Sequence, residues 1–437
     1  MNFNKKFSLN IMKESSLPQV IVAQLGARRH YAEPVILHRA GMLAHFYTDA
    51  YTGPGSAWHL PARCLRRLPD RWQPNRLRRL LARQTPELPA QKVTAFNLLG
   101  LAYAQALQRA QTIADRIEIY KEYGRRFELA VLKKGFGRAD AIHTFQGAAR
   151  RLLLEAKKQG LLGIYEKFIA PKQIEDHLIH EETAFWSDWI NEGFSLSLGE
   201  EQNIYQWEQE QWQAADIILC PSEFVRQGMV AVGVPESKLR VVPYGYEPPA
   251  DLPPRTPWDG RRPLRLLFVG AVSLRKGVQY LALALEKLRG LPLEARVVGP
   301  IDLAPPGRRR LGAVAQLTGQ VPRPEVRKHY QWADIFVFPS LCEGSATVTY
   351  EALAHGLPVI TTFNAGSVVR DGIDGYIVPI RDAEALAARI EHLYHHSELL
   401  AEMSKQAFNR AQDFRWQKYG ERLVSLIQGS SAHDANY

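Results

Sequence analysis

The residue types best suited to chemistry concentrate in ADIFVFPSLCEGSATVTYEALAHGLPVITT, Ala333 to Thr362. A buried-strand run ends at Pro339–Ser340, a loop carries Glu343 and Gly344, and helical spacing continues to about Ala354. Glu343 and Glu351 stand eight positions apart, which in a continuous helix is roughly 12 Å at 1.5 Å per residue. That separation suits the two ends of one extended ligand better than a shared proton transfer, for which paired carboxylates lie closer. Between them, the amides of Gly344, Ser345 and Ala346 open a helix N-terminus, where partial positive charge favours a phosphate. The combination predicts a nucleotide-linked group, with phosphates on the amides, one carboxylate on a sugar and the other on a ribose. An exposed Glu343 and a helix-surface Glu351 would meet the same spacing with no ligand at all.

The elements that must position these residues read as alternating strands and helices. In the second half, Leu264–Val269, Ala295–Val298, Asp334–Phe338, Leu357–Thr362 and Gly375–Val378 are strand-like. Helical spacing covers Val278–Arg289, Val348–Ala354 and Asp382–His395. In the first half the strand candidates are Gln19–Leu25, Ala141–Phe145, Leu161–Tyr165, Ile217–Cys220 and Leu239–Pro243. Helices are expected at Thr94–Tyr123, Gln146–Lys158 and the acidic, aromatic stretch Glu175–Trp212. Glu247 to Pro263 holds six prolines in seventeen residues, the mark of an exposed, stiff connector. Short apolar strands alternating with helices imply parallel sheets covered on both faces. The fold expected is therefore α/β, with two doubly wound Rossmann-like domains facing across a cleft where a small molecule can bind.

Composition narrows the partners. The chain has 437 residues, 46% of them hydrophobic, enough for two or three packed domains and too apolar for extended disorder. Cys64, Cys220 and Cys342 are scattered and form no CxxC pair, which fits a reducing compartment. No run approaches a spanning helix, and Gln19–Leu25 is too short for a secretory signal, so a cytoplasmic protein is expected. Net charge is +10, and residues 51–150 hold 18 Lys and Arg against 7 Asp and Glu. Within them Pro61 to Arg83 carries eight arginines and one acid. Polyanionic partners follow: anionic lipid head groups, phosphorylated substrates or nucleic acid.

The Ala333–Thr362 segment resembles the E-x7-E region of retaining GT-B glycosyltransferases of the large family 4. FVGAVSLRKG (Phe268–Gly277) is similar to that family's strand-turn-lysine motif, and LTGQVPRPEVRKHYQWADIFVFPS to its base-pocket loop and following strand. GSVVRDGIDGYIVP (Gly366–Pro379) and FRWQKYGERLVSLI (Phe414–Ile427) resemble its distal loop and C-terminal helix, and Ala215–Gly245 matches in the first half. The resemblance implies an acceptor-binding domain over 1–248, a linker over 249–263, a nucleotide-sugar-binding domain over 264–410, and a final helix, 411–428, packing back on the first domain. It implies sugar transfer with retention to a glycan or lipid-linked acceptor, of the kind used in bacterial surface polysaccharide or glycolipid synthesis. Lys276 would neutralise the donor diphosphate, Glu343 hold the donor sugar and Glu351 the ribose. Gly270, Arg275, Gly344, Ser345, Ala346 and Thr347 would surround the donor, and His143 would serve as the first-domain catalytic histidine. No metal or other cofactor is implied, since basic residues can take the cation's role. Nor is a nucleic acid, since the resemblance already accounts for the phosphate machinery.

Three positions depart from the family pattern. Ala271 stands where an arginine usually follows the first motif glycine, and neighbouring Arg275 is a substitute guanidinium. Ala346 stands where a second glycine is usual, and Phe145 where the second histidine of an H-x-H would be. Ala271 and Phe145 give weight to a competing reading, a non-catalytic nucleotide-sugar-binding or scaffold protein on the same architecture; a sugar-nucleotide epimerase or a phosphorylase is a third. His30 and Arg29, in the loop after the first strand, are acceptor or donor candidates. Arg63–Arg83 is a candidate for docking on an anionic membrane at the inner face of the cell membrane, against the alternative of a solvated basic face. HLIHEE (His177–Glu182) lacks the HExxH order and reads as a surface helix. GFGRAD (Gly135–Asp140) lacks the third glycine of a dinucleotide fingerprint.

Overall fold

In the computed structural model, residues 17–433 are described apart from 55, 68, 70, 71, 73, 74, 192–197, 250, 253 and 254. The first sheet consists of β1 (Val20–Gln24), β2 (Leu43–Thr48), β3 (Val93–Ala95), β4 (Ala141–Phe145), β5 (Leu162–Glu166), β6 (Ile217–Cys220) and β7 (Leu239–Val241). All pairs are parallel, in the order β3-β2-β1-β4-β5-β6-β7. The second sheet consists of β8 (Leu264–Val269), β9 (Leu293–Val298), β10 (Gln316–Gly319), β11 (Ile335–Phe338), β12 (Val359–Thr362) and β13 (Gly375–Val378). It too is parallel, in the order β10-β9-β8-β11-β12-β13.

Each sheet reverses its strand order once, between β1 and β4 and between β8 and β11. Ligands of open α/β sheets bind beyond the carboxyl ends of the strands at such a reversal. The loops leaving β1, β8 and β11 carry Arg29 and His30, Gly270 to Lys276, and Glu343 to Thr347. Strand period governs the packing behind them. Val20 and Val22 of β1 face one core with Leu43 and Phe46, while Ile21 and Ala23 face another with Phe127, Leu152 and Leu153. In the second half Leu264, Leu266, Leu267 and Phe268 are all buried, as a strand covered on both faces requires.

The chain crosses back after the helix Ser397–Gln412, and the helix Trp416–His433 buries Tyr419, Leu423 and Ile427 in the first core. Fully buried Leu423 and Ile427 contribute about 1.5–3 kcal/mol each. Position in the chain predicts fraying of the first fifteen residues and of Gly429–Tyr437; this helix runs through Gly429 to His433, while residues 1–16 and 434–437 lie outside the described residues.

Several elements differ from the sequence expectation. β2, β3 and β10 are short or interrupted by polar residues, so they carry no apolar run. The helix expected over Thr94–Tyr123 is the end of β3 followed by helices Asn97–Arg109 and Ile113–Leu132. The second of these is started by a capping box, Thr112 with Asp115. The Glu175–Trp212 stretch is two helices, Lys172–Phe185 and Leu198–Gln213, and the turn Ser187–Trp189 between them places Trp189 in the second half's core. The proline-rich connector is anchored rather than free. Arg262 makes a two-pronged pair with Asp334 at 2.6 and 2.8 Å, and buried Trp258 donates from Nε1 to the Arg262 carbonyl at 2.8 Å.

Candidate functional site

The loops leaving β8 and β11 interlock. Gly277 has φ +71°, and a Cβ on it would run into the Pro339 carbonyl, so glycine is what lets the loops meet. Leu341 N–H donates to the Arg275 carbonyl at 2.9 Å, and Ser340 Oγ lies 3.1 Å from that carbonyl. This geometry brings Lys276 Nζ onto Glu343 Oε1. Ser340 Oγ is 3.0 Å from the same carboxylate oxygen and Arg275 Nη1 reaches it at 3.3 Å. Arg275 also donates to the Cys342 carbonyl at 2.7 Å, and its Nε lies 3.6 Å from Glu175 of the first half. Burial pushes the Lys276 ammonium below its ordinary range, while Glu343 pulls the other way. Gly270, at φ +156°, forms the base of this loop, where a Cβ would lie 3.3 Å from the Phe338 ring.

The helix start after Glu343 is partly spent inside the protein. Ala346 N–H donates to the Ala365 carbonyl at 3.0 Å. Ser345 Oγ is bonded to Tyr350 OH at 2.7 Å and donates to the Gly366 carbonyl at 2.8 Å. Of the three amides expected to receive phosphate, Ala346 is therefore withdrawn; Thr347, the first helical residue, is exposed. At Gly344 the missing side chain matters between the two halves. A Cβ there would overlap the Phe168 carbonyl of the first half, and its own carbonyl accepts from Ser222 Oγ. The glycine is what permits the two halves to touch.

Glu351 lies on the helix Thr347–Ala354 and accepts from Tyr330 OH at 2.9 Å. Burial raises its carboxyl, with Tyr330 and Arg323 opposing. Arg323 opens the helix Arg323–Trp332, and its Nη1 lies 2.9 Å from His30 Nε2, so the first half's loop meets an arginine whose charge also acts on Glu351. Burial and then Arg323 hold the His30 imidazole below its ordinary value.

In that loop Arg29, His30 and Tyr31 have φ of +43°, +52° and +64°. Three consecutive left-handed non-glycine residues cost on the order of 1–2 kcal/mol each. Their surroundings hold them there. Tyr31 OH donates to the Ala50 carbonyl at 2.8 Å, Arg29 is clasped between Glu33 and Glu166, and Arg28 lies 3.4 Å over the Phe168 ring. Although burial opposes charge on Glu166, Arg29 and His143 keep its carboxyl below the usual range.

His143, expected as the first-domain catalytic histidine, has no exposed surface. It sits inside β4, fully buried, with its ring stacked on Phe145 at 4.6 Å and Nε2 3.2 Å from Glu166 Oε2. Phe145, the residue that departs from the H-x-H pattern, lies between two rings, His143 and Phe168.

The expected surface helix HLIHEE holds a residue that sequence reasoning missed. His177 pairs with Glu181 and His180 with Glu201, but Glu182 is fully buried. Its carboxylate accepts from Tyr280 OH at 2.8 Å and Gln279 Nε2 at 2.8 Å, and pairs with Arg381, all three in the second half. Among the described residues no group of three or more His, Cys, Asp or Glu is placed to hold a metal ion. The Arg-rich segment is also only partly available to a partner. Arg66 donates to the Thr52 and Leu81 carbonyls and Arg83 pairs with Asp49 at 2.8 Å, while residues 68, 70, 71, 73 and 74 lie outside the described residues. Arg63 and Arg67 are exposed, beside Leu60 and Leu65, with Trp72 also exposed. No helix among the described residues is long and apolar enough to cross a membrane.

Residues 263–396 match the family described as Glycosyl transferases group 1. A putative colanic acid biosynthesis glycosyltransferase, WcaL of Salmonella typhimurium, is 28% identical over 260 residues, 55% of this chain and 63% of that protein. The amylovoran biosynthesis glycosyltransferase AmsK of Erwinia amylovora is 30% identical over 189 residues, 40% of this chain and 46% of its own length. The matches thus span about half to under two thirds of these relatives. Among solved structures, HepE of Anabaena in complex with UDP and glucose superposes with a TM-score of 0.56 at 15% identity, over 94% of this chain and 99% of that one. That likeness fixes the architecture as GT-B.

Proposed function

From a chain of GT-B fold whose residues 263–396 carry the Glycosyl transferases group 1 domain, we propose a glycosyltransferase of surface polysaccharide synthesis. It moves a sugar from a nucleotide-sugar donor to a glycan or lipid-linked acceptor. The observation that carries this reading is the convergence of Lys276 and Arg275 on Glu343 at the carboxyl ends of β8 and β11. The relatives' roles in colanic acid and amylovoran biosynthesis support the setting, and a neighbour's complex with UDP and glucose supports the donor class.

In this reading the donor diphosphate takes Lys276 and Arg275 from Glu343, and Arg275 fills the place left by Ala271. Glu343, so released, accepts from donor-sugar hydroxyls, and Glu351 accepts from the ribose. The bond from the anomeric carbon to the phosphate oxygen breaks as the acceptor oxygen attacks on the same face. The acceptor's proton passes to the departing phosphate, giving retention. The two cations then stabilise the charge that develops on the nucleoside diphosphate. Cytoplasmic location at the inner membrane face belongs to the same proposal, with Arg63 and Arg67 contributing about 1 kcal/mol each near an anionic leaflet. Anionic and neutral vesicles in a flotation assay test that part; equal binding to both rejects it.

A panel of UDP-, GDP- and ADP-sugars in thermal shift tests the central claim, because a ligand that binds only the native state raises its melting temperature. Stabilisation by one nucleotide sugar with slow release of its nucleoside diphosphate is the expected result. Burial of His143 favours the second reading, a non-catalytic nucleotide-sugar-binding protein, for which binding occurs with no release. No stabilisation by any donor overturns both.

A further inference from the structure

A cavity of about 210 Å³ opens in the first half beside Gly147, in the loop that follows β4. Lys121, Arg125, Arg150 and Arg151 line it, against the two carboxylates of Glu128 and Glu210. The lining therefore carries two more positive charges than negative ones. The arrangement is held from behind. Gly147 N–H donates to Gln211 Oε1 at 2.8 Å, and buried Glu128 accepts from Arg151 at both its backbone N–H, 3.0 Å, and its guanidinium, 3.2 Å. Arg150 lies 3.4 Å from Glu210. Among the described residues Arg125 and Lys121 pair with carboxylates one turn away on their own helix, Glu122 and Glu118. Such exposed pairs are worth about 0.2–1 kcal/mol, so these two cations can turn to a ligand at small cost.

Trp207 supplies the other kind of wall. Its half-buried ring borders the cavity and offers an apolar face beside the charges. An inorganic anion needs no such face, and a neutral sugar needs no surplus of cations. A sugar ring bearing a carboxylate or a phosphate uses both, with its hydroxyls donating to Glu128 and Glu210 and its charge on the arginine forks. The volume lies below the roughly 300 Å³ at which drug-sized ligand pockets begin, on the scale of a single ring. The chain links the cavity to the cleft in two steps. Gln146, next to Gly147, accepts from Phe168 N–H at 3.4 Å, and the Phe168 carbonyl lies against Gly344.

We propose that this cavity is a subsite for an acidic saccharide, a sugar residue carrying a carboxylate or phosphate in the acceptor chain. The inference deepens the glycosyltransferase reading and rests on it for the word acceptor, while the binding itself stands alone. Calorimetry on the full chain tests it with four probes: a glucuronate-containing disaccharide, the same disaccharide with its carboxylate reduced to an alcohol, a sugar phosphate, and inorganic phosphate. An acidic sugar should bind about tenfold or more tightly than the reduced disaccharide, the gain of one charge-assisted hydrogen bond set. Which of the first and third binds more tightly identifies the source of the charge. Arg125→Gln with Lys121→Gln, and separately Trp207→Ala, should each weaken acidic-sugar binding while nucleotide-induced stabilisation is unchanged. Equal binding of the reduced disaccharide, equal binding of inorganic phosphate, or no effect of either variant overturns the proposal. Acidic-sugar binding in a protein that takes no nucleotide sugar keeps the subsite and rejects the enzyme.

Discussion

Each half of the molecule carries a glutamate gripped by two basic side chains near the carboxyl end of its sheet. In the second half Lys276 and Arg275 hold Glu343; in the first half Arg29 and His143 hold Glu166. The chemistry is nearly the same, but the surroundings are not. The Glu343 side chain keeps 12% exposure in a loop at the cleft, whereas Glu166 keeps 3% and lies behind Arg29 and Phe145. A carboxylate at the cleft can give up its cations to an incoming diphosphate. A sealed one cannot, and its charge instead holds Arg29, the first of three left-handed residues, in place. Access to the cleft, more than residue type, separates a binding cluster from a structural one.

The largest expected effect falls on the sealed cluster. Glu166→Gln strips Arg29 of one of its two buried partners, and breaking a buried pair in this way costs about 3–5 kcal/mol. Urea unfolding measures it. The pH dependence has a fixed sign. Because the folded carboxyl lies below its ordinary 4.5, its stabilisation is present above that value and is lost as pH falls through the folded one. Unchanged stability in the variant would make Glu166 no different from a surface residue and end the comparison.

At the cleft the effect should appear in turnover instead. Glu343→Ala should lower turnover by about 10²–10³-fold, on the scale of removing one oriented polar contact to a transition state. Its melting temperature should stay close to that of the parent, since the residue is not sealed in a core. Near-parental rates with a confirmed donor would remove Glu343 from the chemistry.

Lys276→Ala should weaken nucleoside diphosphate binding by about 10–100-fold, the loss of a charge-assisted hydrogen bond, as calorimetry reads it. The parent should show a further sign. Burial lowers the Lys276 ammonium from its ordinary 10.5, so binding should fall on the alkaline side earlier than an ordinary lysine would cause. Lys276→Arg should move that limb to higher pH. An alkaline limb that stays put in the arginine variant would assign it to another group.

Much of this cluster was legible beforehand because its signals are local. Lys276, Glu343 and Glu351 sit within runs whose strand and helix periods are plain, and β8 and β13 match their expected bounds. What escaped depends on contacts between distant segments. Glu182 looks like any helical glutamate until Tyr280, Gln279 and Arg381 close on it. Arg323 gains meaning only from His30, 293 residues away. The sequence points to the Gly344 amide as a phosphate donor and gives no sign that its missing Cβ makes room for the Phe168 carbonyl. β3 and β10 escaped because edge positions tolerate polar residues that erase the apolar run, and β2, paired on both sides, because Ala44 and His45 interrupt its own.

The finest test of the comparison is His143, which its resemblance would make catalytic and its burial makes a support for Glu166. If it is a support, His143→Gln leaves an imperfectly paired polar group in the core and costs about 1–3 kcal/mol in unfolding. Turnover per folded molecule should then stay within about threefold, because only interactions that strengthen in the transition state change it. A loss of a hundredfold or more with parental stability would instead place His143 among the catalytic groups. Measuring both quantities on one preparation separates the two outcomes, since a supporting residue moves stability first and a reacting one moves rate alone.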